Sequence, residues 1–379
     1  MELYIVRPGD TVDSIARETG TPVDSLIYAN QLPYPYRLAV GQALLLSIGP
    51  SRNTGRSVAA AGYAYPFISR YVLEETLPYL TELPVFSYGF TADGVLVPPL
   101  LPDAPLIEAA LAQNVNPILT LTPFGPDGQF SNYLITQLIN NPAATRQLIR
   151  ELTALLPEKG YRGVDIDFEF ILAEDREAFA AFTAAVRQAV NALGYPVSVA
   201  LAPKTSDDQQ GLLYQGKDYG LLGEAADFAL LMTYEWGYTY GPPMAVAPLD
   251  KVRQVVEYAV TRIAPGKLSL GIPNYGYDWT LPYVRGQSKA RTIGNVEAVQ
   301  IAIQNNAVIQ FDETAQSPYF TYTAEGRSHE VWFEDVRSLA AKFALIPEYG
   351  LRGAGYWQIM QLFRANWLLL ADTFWIRKT

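Results

Sequence analysis

The stretch GVDIDFEF, residues 163–170, alternates Val164, Ile166, Phe168 and Phe170 with Gly163, Asp165, Asp167 and Glu169. In an extended strand successive side chains point to opposite faces, so one face is apolar and the other carries three acids in a row. Same-face neighbours stand ~6.6 Å apart, from a rise of ~3.3 Å per residue. Two readings fit the octapeptide alone. It is an edge strand with its acids in water, or a strand whose acidic face lines a cavity.

The rest of the chain separates them. Eight short apolar runs recur after residue 60: AGYAYP (61–66), PVFSYGF (84–90), NPILTLTP (116–123), GVDIDFE (163–169), VSVALAPK (197–204), FALLMTYE (228–235), LSLGIPNYGYDW (268–279) and GAGYWQI (353–359). Segments of helical spacing lie between them, such as EDREAFAAFTAAVRQAVNAL (174–193). This alternation predicts an α/β fold, a (β/α)8 TIM barrel over residues 61–379. A doubly wound open sheet is the alternative; it expects a Gly-rich loop after the first strand, and none is present. The last gap is too long for one helix. VIQFDET, PYFTYTAEG and HEVWFED predict a small α+β insertion at about 280–335, between strands seven and eight. Barrel strands have helices outside and packed side chains inside. The acidic face is then expected to point inward.

Residues 1–48 read as a separate βααβ unit. LYIV is a strand, Asp10 or Thr11 caps VDSIARETG, PVDSLIYANQL is a second helix and LAVGQALLLSI a closing strand. GPSRNTGRSVAA (49–60) reads as a flexible linker that tethers this unit. YIVRPGDTVDSIARETG, LIYANQL and LAVGQALLL resemble the LysM domain, present here in one copy. The resemblance implies binding of glycans that contain N-acetylglucosamine. The unit holds three Arg and five Asp or Glu, so such binding would rest on polar contacts and shape.

Composition narrows the chemistry. The chain has 379 residues, 49% of them hydrophobic and 17% charged, which is enough to bury a large core. A net charge of −10 argues against nucleic acid or an anionic membrane as partner. There is no cysteine and a single histidine, His329. Cysteine nucleophiles, disulfides and zinc motifs that need two histidines are therefore excluded. The N-terminus MELYIVRPGD has no basic n-region or long apolar h-region, so no secretory signal is expected. No segment approaches the roughly 18 apolar residues of a membrane helix. A monomer with no cofactor and no metal is expected.

Within a barrel, three carboxyls in a partly dry cavity cannot all be ionised comfortably. Proton sharing between Asp165 and Asp167 is the expected resolution. Glu169 lies furthest toward the C-terminal rim, where barrel active sites form, and is the expected general acid. A divalent metal held by the carboxylates is the other functional reading. The remaining strand ends supply aromatic and acidic groups suited to sugar: Tyr88, then Met232, Tyr234 and Glu235, then Tyr275 and Asp278, and finally Trp357.

The barrel resembles family 18 glycoside hydrolases. Their fourth-strand motif D-G-x-D-x-D-x-E stands here as RGVDIDFE (162–169), with Arg162 in place of the first Asp. MTYE (232–235) corresponds to the family's M-x-Y-D/E, and Trp357 to the tryptophan flooring its cleavage subsite. LTLTPF (119–124) lacks the S-x-G-G of chitinases, and Tyr277 stands where many of them have arginine. LAPKTS, PPMAVAP, GYDWTLPY and HEVWFED look most like the spore-cortex-lytic and spore-germination branch. The resemblance implies a retaining N-acetylglucosaminidase that uses the substrate's own acetamido group as nucleophile. In that scheme Glu169 is the proton donor, Asp167 orients the acetamido group, Asp165 tunes Asp167, and Tyr234 contacts the acetamido carbonyl. Met232, Glu235, Tyr88, Tyr275, Asp278 and Trp357 are the expected substrate contacts. Peptidoglycan or another N-acetylglucosamine polymer is the expected partner. The expected location is the spore coat or cortex if the source sporulates, and otherwise the cytoplasm or a non-Sec export route. A chitinase-like or endo-β-N-acetylglucosaminidase activity on other glycans, and a non-catalytic glycan-binding lectin, are the competing readings.

Overall fold

The computed structural model describes residues 1–47, 55–126 and 128–378. Eight parallel strands follow one another around a closed barrel: Ser57–Gly62, Glu82–Phe90, Asn116–Leu121, Val164–Ile166, Val197–Leu201, Phe228–Leu231, Leu268–Pro273 and Gly353–Trp357. The eighth pairs with the first through Gly353–Ala59 to Tyr356–Gly62, and the first with the second at Ala61 and Glu82, which completes the ring. The predicted (β/α)8 architecture is the observed one. Two strand limits differ from expectation. The first strand begins inside the stretch read as linker, because SVAAAG supplies small side chains that fit the crowded barrel interior; residues 49–54 of that stretch lie outside the described residues. The seventh strand stops at Pro273, and Gly276–Thr280 leaves the barrel to join the insertion.

Helices cover the outside for the reason the periodicity predicted. Arg176–Asn191 turns Phe179, Phe182, Val186 and Val190 inward, all buried. Phe168, from the apolar face of the fourth strand, stacks on Phe179 and Phe182 at 5.8 Å each. That packing fixes the parity of the strand and forces its acids toward the barrel axis.

The insertion is a five-stranded antiparallel sheet with one helix. Its strand order is Arg291–Ile293, Gly276–Thr280, Arg327–Trp332, Ser317–Ala324 and Gln310–Asp312, and Asn295–Gln304 is the helix. It has its own core around Ile293, Ala298, Phe320, Val331 and Phe333.

The N-terminal unit has the expected βααβ order: Glu2–Ile5, Val12–Thr19, Val23–Asn30 and Ala43–Leu46. Thr11 caps the first helix through a capping box with Ser14. The unit sits in direct contact with the barrel and the insertion, contrary to the expectation of a tethered module. The Ile309 N–H donates to Val40 O at 2.9 Å, and Gln31 bridges Leu362 O (3.2 Å) and the Arg364 N–H (2.6 Å). The Arg364 guanidinium lies over the Tyr28 ring at 4.2 Å, and the N-terminal ammonium pairs with Asp372 at 2.7 Å. Leu45 is fully buried within the barrel's own core cluster. Gly41 has φ +83°, and a Cβ there would stand 1.9 Å from Ile309 O, so only glycine fits this seam.

Candidate active site

The acid row lies at the C-terminal end of the fourth strand. Asp165 and Asp167 are buried, at 1% and 7% exposure, while Glu169 is partly exposed at the rim of a cavity of about 750 Å³. The regular strand ends at Ile166, but the Asp167 N–H still donates to Leu121 O at 2.9 Å, which holds the next residue in register.

Asp165 is the innermost acid. It accepts from Tyr63 Oη at 2.8 Å and from Ser198 Oγ at 2.6 Å. Burial pushes its carboxyl above the usual carboxylate range, against those two hydrogen bonds. Asp167 is raised much further, first by burial and then by the negative charges of Glu169 and Asp165, with Lys217 opposing. Its Oδ1 is buried and has no hydrogen-bond partner among the described residues. A buried polar atom with no partner is costly. The Asp167 side chain itself stands on the wall of the cavity.

Aromatic groups wall the cavity. Trp357 stands at the end of the eighth strand, edge-on to Phe86, Tyr63 and Tyr65 at 5.0, 5.8 and 6.0 Å. Tyr356, one residue earlier, faces outward and packs on Trp367 at 4.6 Å. From the sixth strand come Met232, Tyr234 and Glu235. Burial and the nearby acids raise the Tyr234 and Tyr63 hydroxyls well above the phenol range, so both stay protonated donors. Glu235 takes φ +70°, a strained conformation for a residue with a side chain. Two tyrosines hold it there. The Tyr275 hydroxyl donates to Oε1, and the Tyr277 hydroxyl donates to Oε1 at 2.9 Å and Oε2 at 3.2 Å. Burial raises the Glu235 carboxyl, and these bonds pull it back.

The structure therefore brings Asp167, Glu169, Met232, Tyr234, Glu235, Tyr275 and Trp357 to one cavity, with Asp165 directly behind. Two expected contacts do not reach it. Tyr88 is fully buried and donates to Asp103 at 2.7 Å, beside Tyr161 and Lys159 on the same carboxylate. An irregularity in the second strand between Val85 and Tyr88 breaks the alternation and turns Tyr88 outward while Phe86 faces in. Asp278 lies in the insertion sheet, where it accepts from Tyr322 at 2.7 Å and pairs with His329 at 2.9 Å. Its carboxylate holds that sheet together. Tyr63, Tyr65, Tyr214, Tyr277 and Gln358 also line the cavity and were not singled out from sequence as contacts. The spacing of Tyr63 and Tyr65 beyond the VAAAG run was the available signal. Among the described residues no group of three or more His, Cys, Asp or Glu side chains is arranged to hold a metal ion.

An acid row at the C-terminal rim of a closed (β/α)8 barrel, walled by aromatic rings, defines a glycosidase. The family model for glycosyl hydrolases family 18 matches residues 120–361, and that for the LysM domain matches residues 4–47. The chain belongs to glycosyl hydrolases family 18 and carries an N-terminal LysM domain. It is 41% identical to the cortical fragment-lytic enzyme of Bacillus subtilis, over 99% of this chain and 98% of that one. The crystal structure of the Bacillus cereus spore cortex-lytic enzyme SleL superposes with a TM-score of 0.92 at 32% identity, covering 100% of this chain and 99% of the other. A chitinase from Chromobacterium violaceum superposes with a TM-score of 0.77 at 25% identity, over 83% of this chain and 98% of its own. Both domain types are directed at glycans. No helix among the described residues is long and apolar enough to cross a membrane.

Proposed function

We propose that the protein is a retaining β-N-acetylglucosaminidase acting on the peptidoglycan of the spore cortex. The Asp167 carboxyl, on the cavity wall beside Glu169 and with one oxygen lacking a protein partner, carries this reading. An acetamido N–H supplies the missing donor. With that group held, its carbonyl oxygen points at the anomeric carbon, and the Tyr234 hydroxyl is placed to contact the same carbonyl. Glu169, at the rim, gives its proton to the glycosidic oxygen as the C1–O bond breaks, and the acetamido oxygen closes on C1 to form an oxazolinium ion. Water then attacks C1 and gives a proton to the Glu169 carboxylate, so the product has retained configuration. Asp167 meets the positive charge on the ring nitrogen as a carboxylate. Trp357 offers its face to the apolar side of the sugar. The cortex as substrate is supported by the names of the two Bacillus relatives, and a location in the spore of a sporulating source goes with that reading.

Mass spectrometry of muropeptides released from purified cortex tests the proposal. Fragments ending in reducing N-acetylglucosamine are expected from the wild type. Glu169→Gln should lose ~10²–10⁴ in turnover while still sedimenting with cortex. Fragments ending in reducing muramic acid, or a Glu169→Gln variant with full turnover, would overturn it.

A further inference from the structure

Lys217 is fully buried, yet no hydrolytic step described above uses it. Its Nζ donates to Ala200 O at 3.0 Å, and among the described residues no carboxylate lies within ion-pair distance. Ala200 is itself on the cavity wall. The fourth and fifth strands pair as Asp165–Ser198 and Ile166–Val199, so the next step of the register sets Ala200 beside Asp167. Neighbouring strands are ~4.8 Å apart. The ammonium is therefore anchored on the strand adjoining the acid row. Gly216 permits this approach, since a Cβ there would meet Ile171 O at 2.2 Å, just past the end of that row.

A buried ammonium with one carbonyl as partner leaves most of its desolvation unmet. The compensation must come from negative charge, and the acid row supplies it. Asp165, Asp167 and Glu169 all act on Lys217 to favour its charged form, although burial still draws its titration down to about 8. On its own segment the ionisable neighbours are Tyr214, Asp218 and Tyr219, and Lys204 donates to the Lys217 carbonyl at 2.9 Å. Tyr63, Tyr234 and Glu235 face the same acids from the first and sixth strands.

We propose that Lys217 is a positioning residue for the reaction: its ammonium holds the fourth-strand acids one proton short, so that Asp167 meets the acetamido nitrogen as a carboxylate. This rests on the substrate-assisted reading of the site. A divided role is chemically sensible, because Asp165 is already committed to Tyr63 and Ser198. Without the lysine, the row has no buried counter-charge and retains its protons to higher pH.

Three variants separate charge from anchorage. Lys217→Gln keeps a donor for Ala200 O and removes the charge, Lys217→Met removes both, and Lys217→Arg keeps the charge. The measurement is the pH profile of kcat and kcat/KM on cortex fragments. For Gln and Met the acidic limb should move up by about one pH unit, with kcat falling about tenfold on that side and KM nearly unchanged. Arg should restore the limb. A Lys217→Gln variant with a wild-type profile would overturn the proposal and leave Lys217 as a loop anchor. If the neutral variants fail to fold, the wild-type protein decides: the ¹³C carboxyl resonance of Asp167 should show a second inflection near pH 8 as the lysine discharges. A single inflection overturns the idea. Failure of the substrate-assisted reading shows separately, as products of inverted configuration or as a covalent glycosyl-enzyme intermediate.

Discussion

Tyr63 reaches across the barrel from the first strand to donate its hydroxyl to Asp165 on the fourth, at 2.8 Å, over 102 residues of sequence. With Ser198 on the other oxygen, the innermost acid has both carboxylate oxygens engaged. Its orientation toward Asp167 is thus fixed by the scaffold and not by substrate.

Removing that hydroxyl tests whether the orientation contributes to rate. Loss of a hydrogen bond to a charged group is worth about 1.5–3 kcal/mol, so Tyr63→Phe should lower kcat by at least about tenfold. KM should move little, because Asp165 is out of reach of the sugar. Steady-state kinetics with an unchanged circular-dichroism spectrum would check both parts; a wild-type kcat would show that Asp165 needs no such support.

Asp167→Asn should trade activity for stability. Asp167 and Asp165 are both raised in the folded state, so the acid row together holds a proton that the unfolded chain has released. Stability therefore falls as pH rises from the ordinary carboxylate value toward the raised one, and it is undiminished below both. A neutral amide removes that loss. The variant should melt higher than wild type at pH 7, by about 1 kcal/mol, and show no such gain at pH 4, while hydrolysis drops sharply. Calorimetry at the two pH values decides it, and an equal difference at both would contradict the assignment of the raised carboxyl.

Glu334 and Lys342 form an ion pair at 2.8 Å with both side chains wholly buried, where the insertion meets the LysM domain. Breaking one side strands the other charge. Lys342→Met alone should cost about 3–5 kcal/mol, whereas Lys342→Met with Glu334→Leu should be close to neutral or better. Denaturant unfolding of the three proteins is the measurement. A single variant costing under about 1 kcal/mol would mean water already reaches the pair.

Most of the barrel was legible because its signal is periodic. Short apolar runs alternating with amphipathic helices leave few architectures open, and the parity of GVDIDFEF pointed the acids inward before any coordinates. What failed was local. Tyr88 was placed in the cavity because it ends the second apolar run, and a one-position irregularity in the strand is invisible to composition. Asp278 was read as a strand end because PNYGYDW continues an apolar run, yet the chain turns after Pro273 and starts a new sheet. The contact between Glu235 and the paired Tyr275 and Tyr277 hydroxyls spans two strands, so no single window of sequence contains it. Lys217 stood in an unremarkable polar loop. Its burial is a tertiary fact.

The seam at Gly41 changes what a truncation experiment means. A module seated on Leu362, Arg364 and Ile309 grips its polymer at a set distance from the cutting edge, as the jaws of a calliper do, and cannot sweep the surrounding volume. Cutting it away also strips the cover from Leu45's neighbours in the barrel. Lost cleavage in such a shortened protein would mix weaker anchoring with a damaged scaffold. Substitution of outward-facing residues such as Tyr34, 84% exposed, probes the domain and leaves the seam whole.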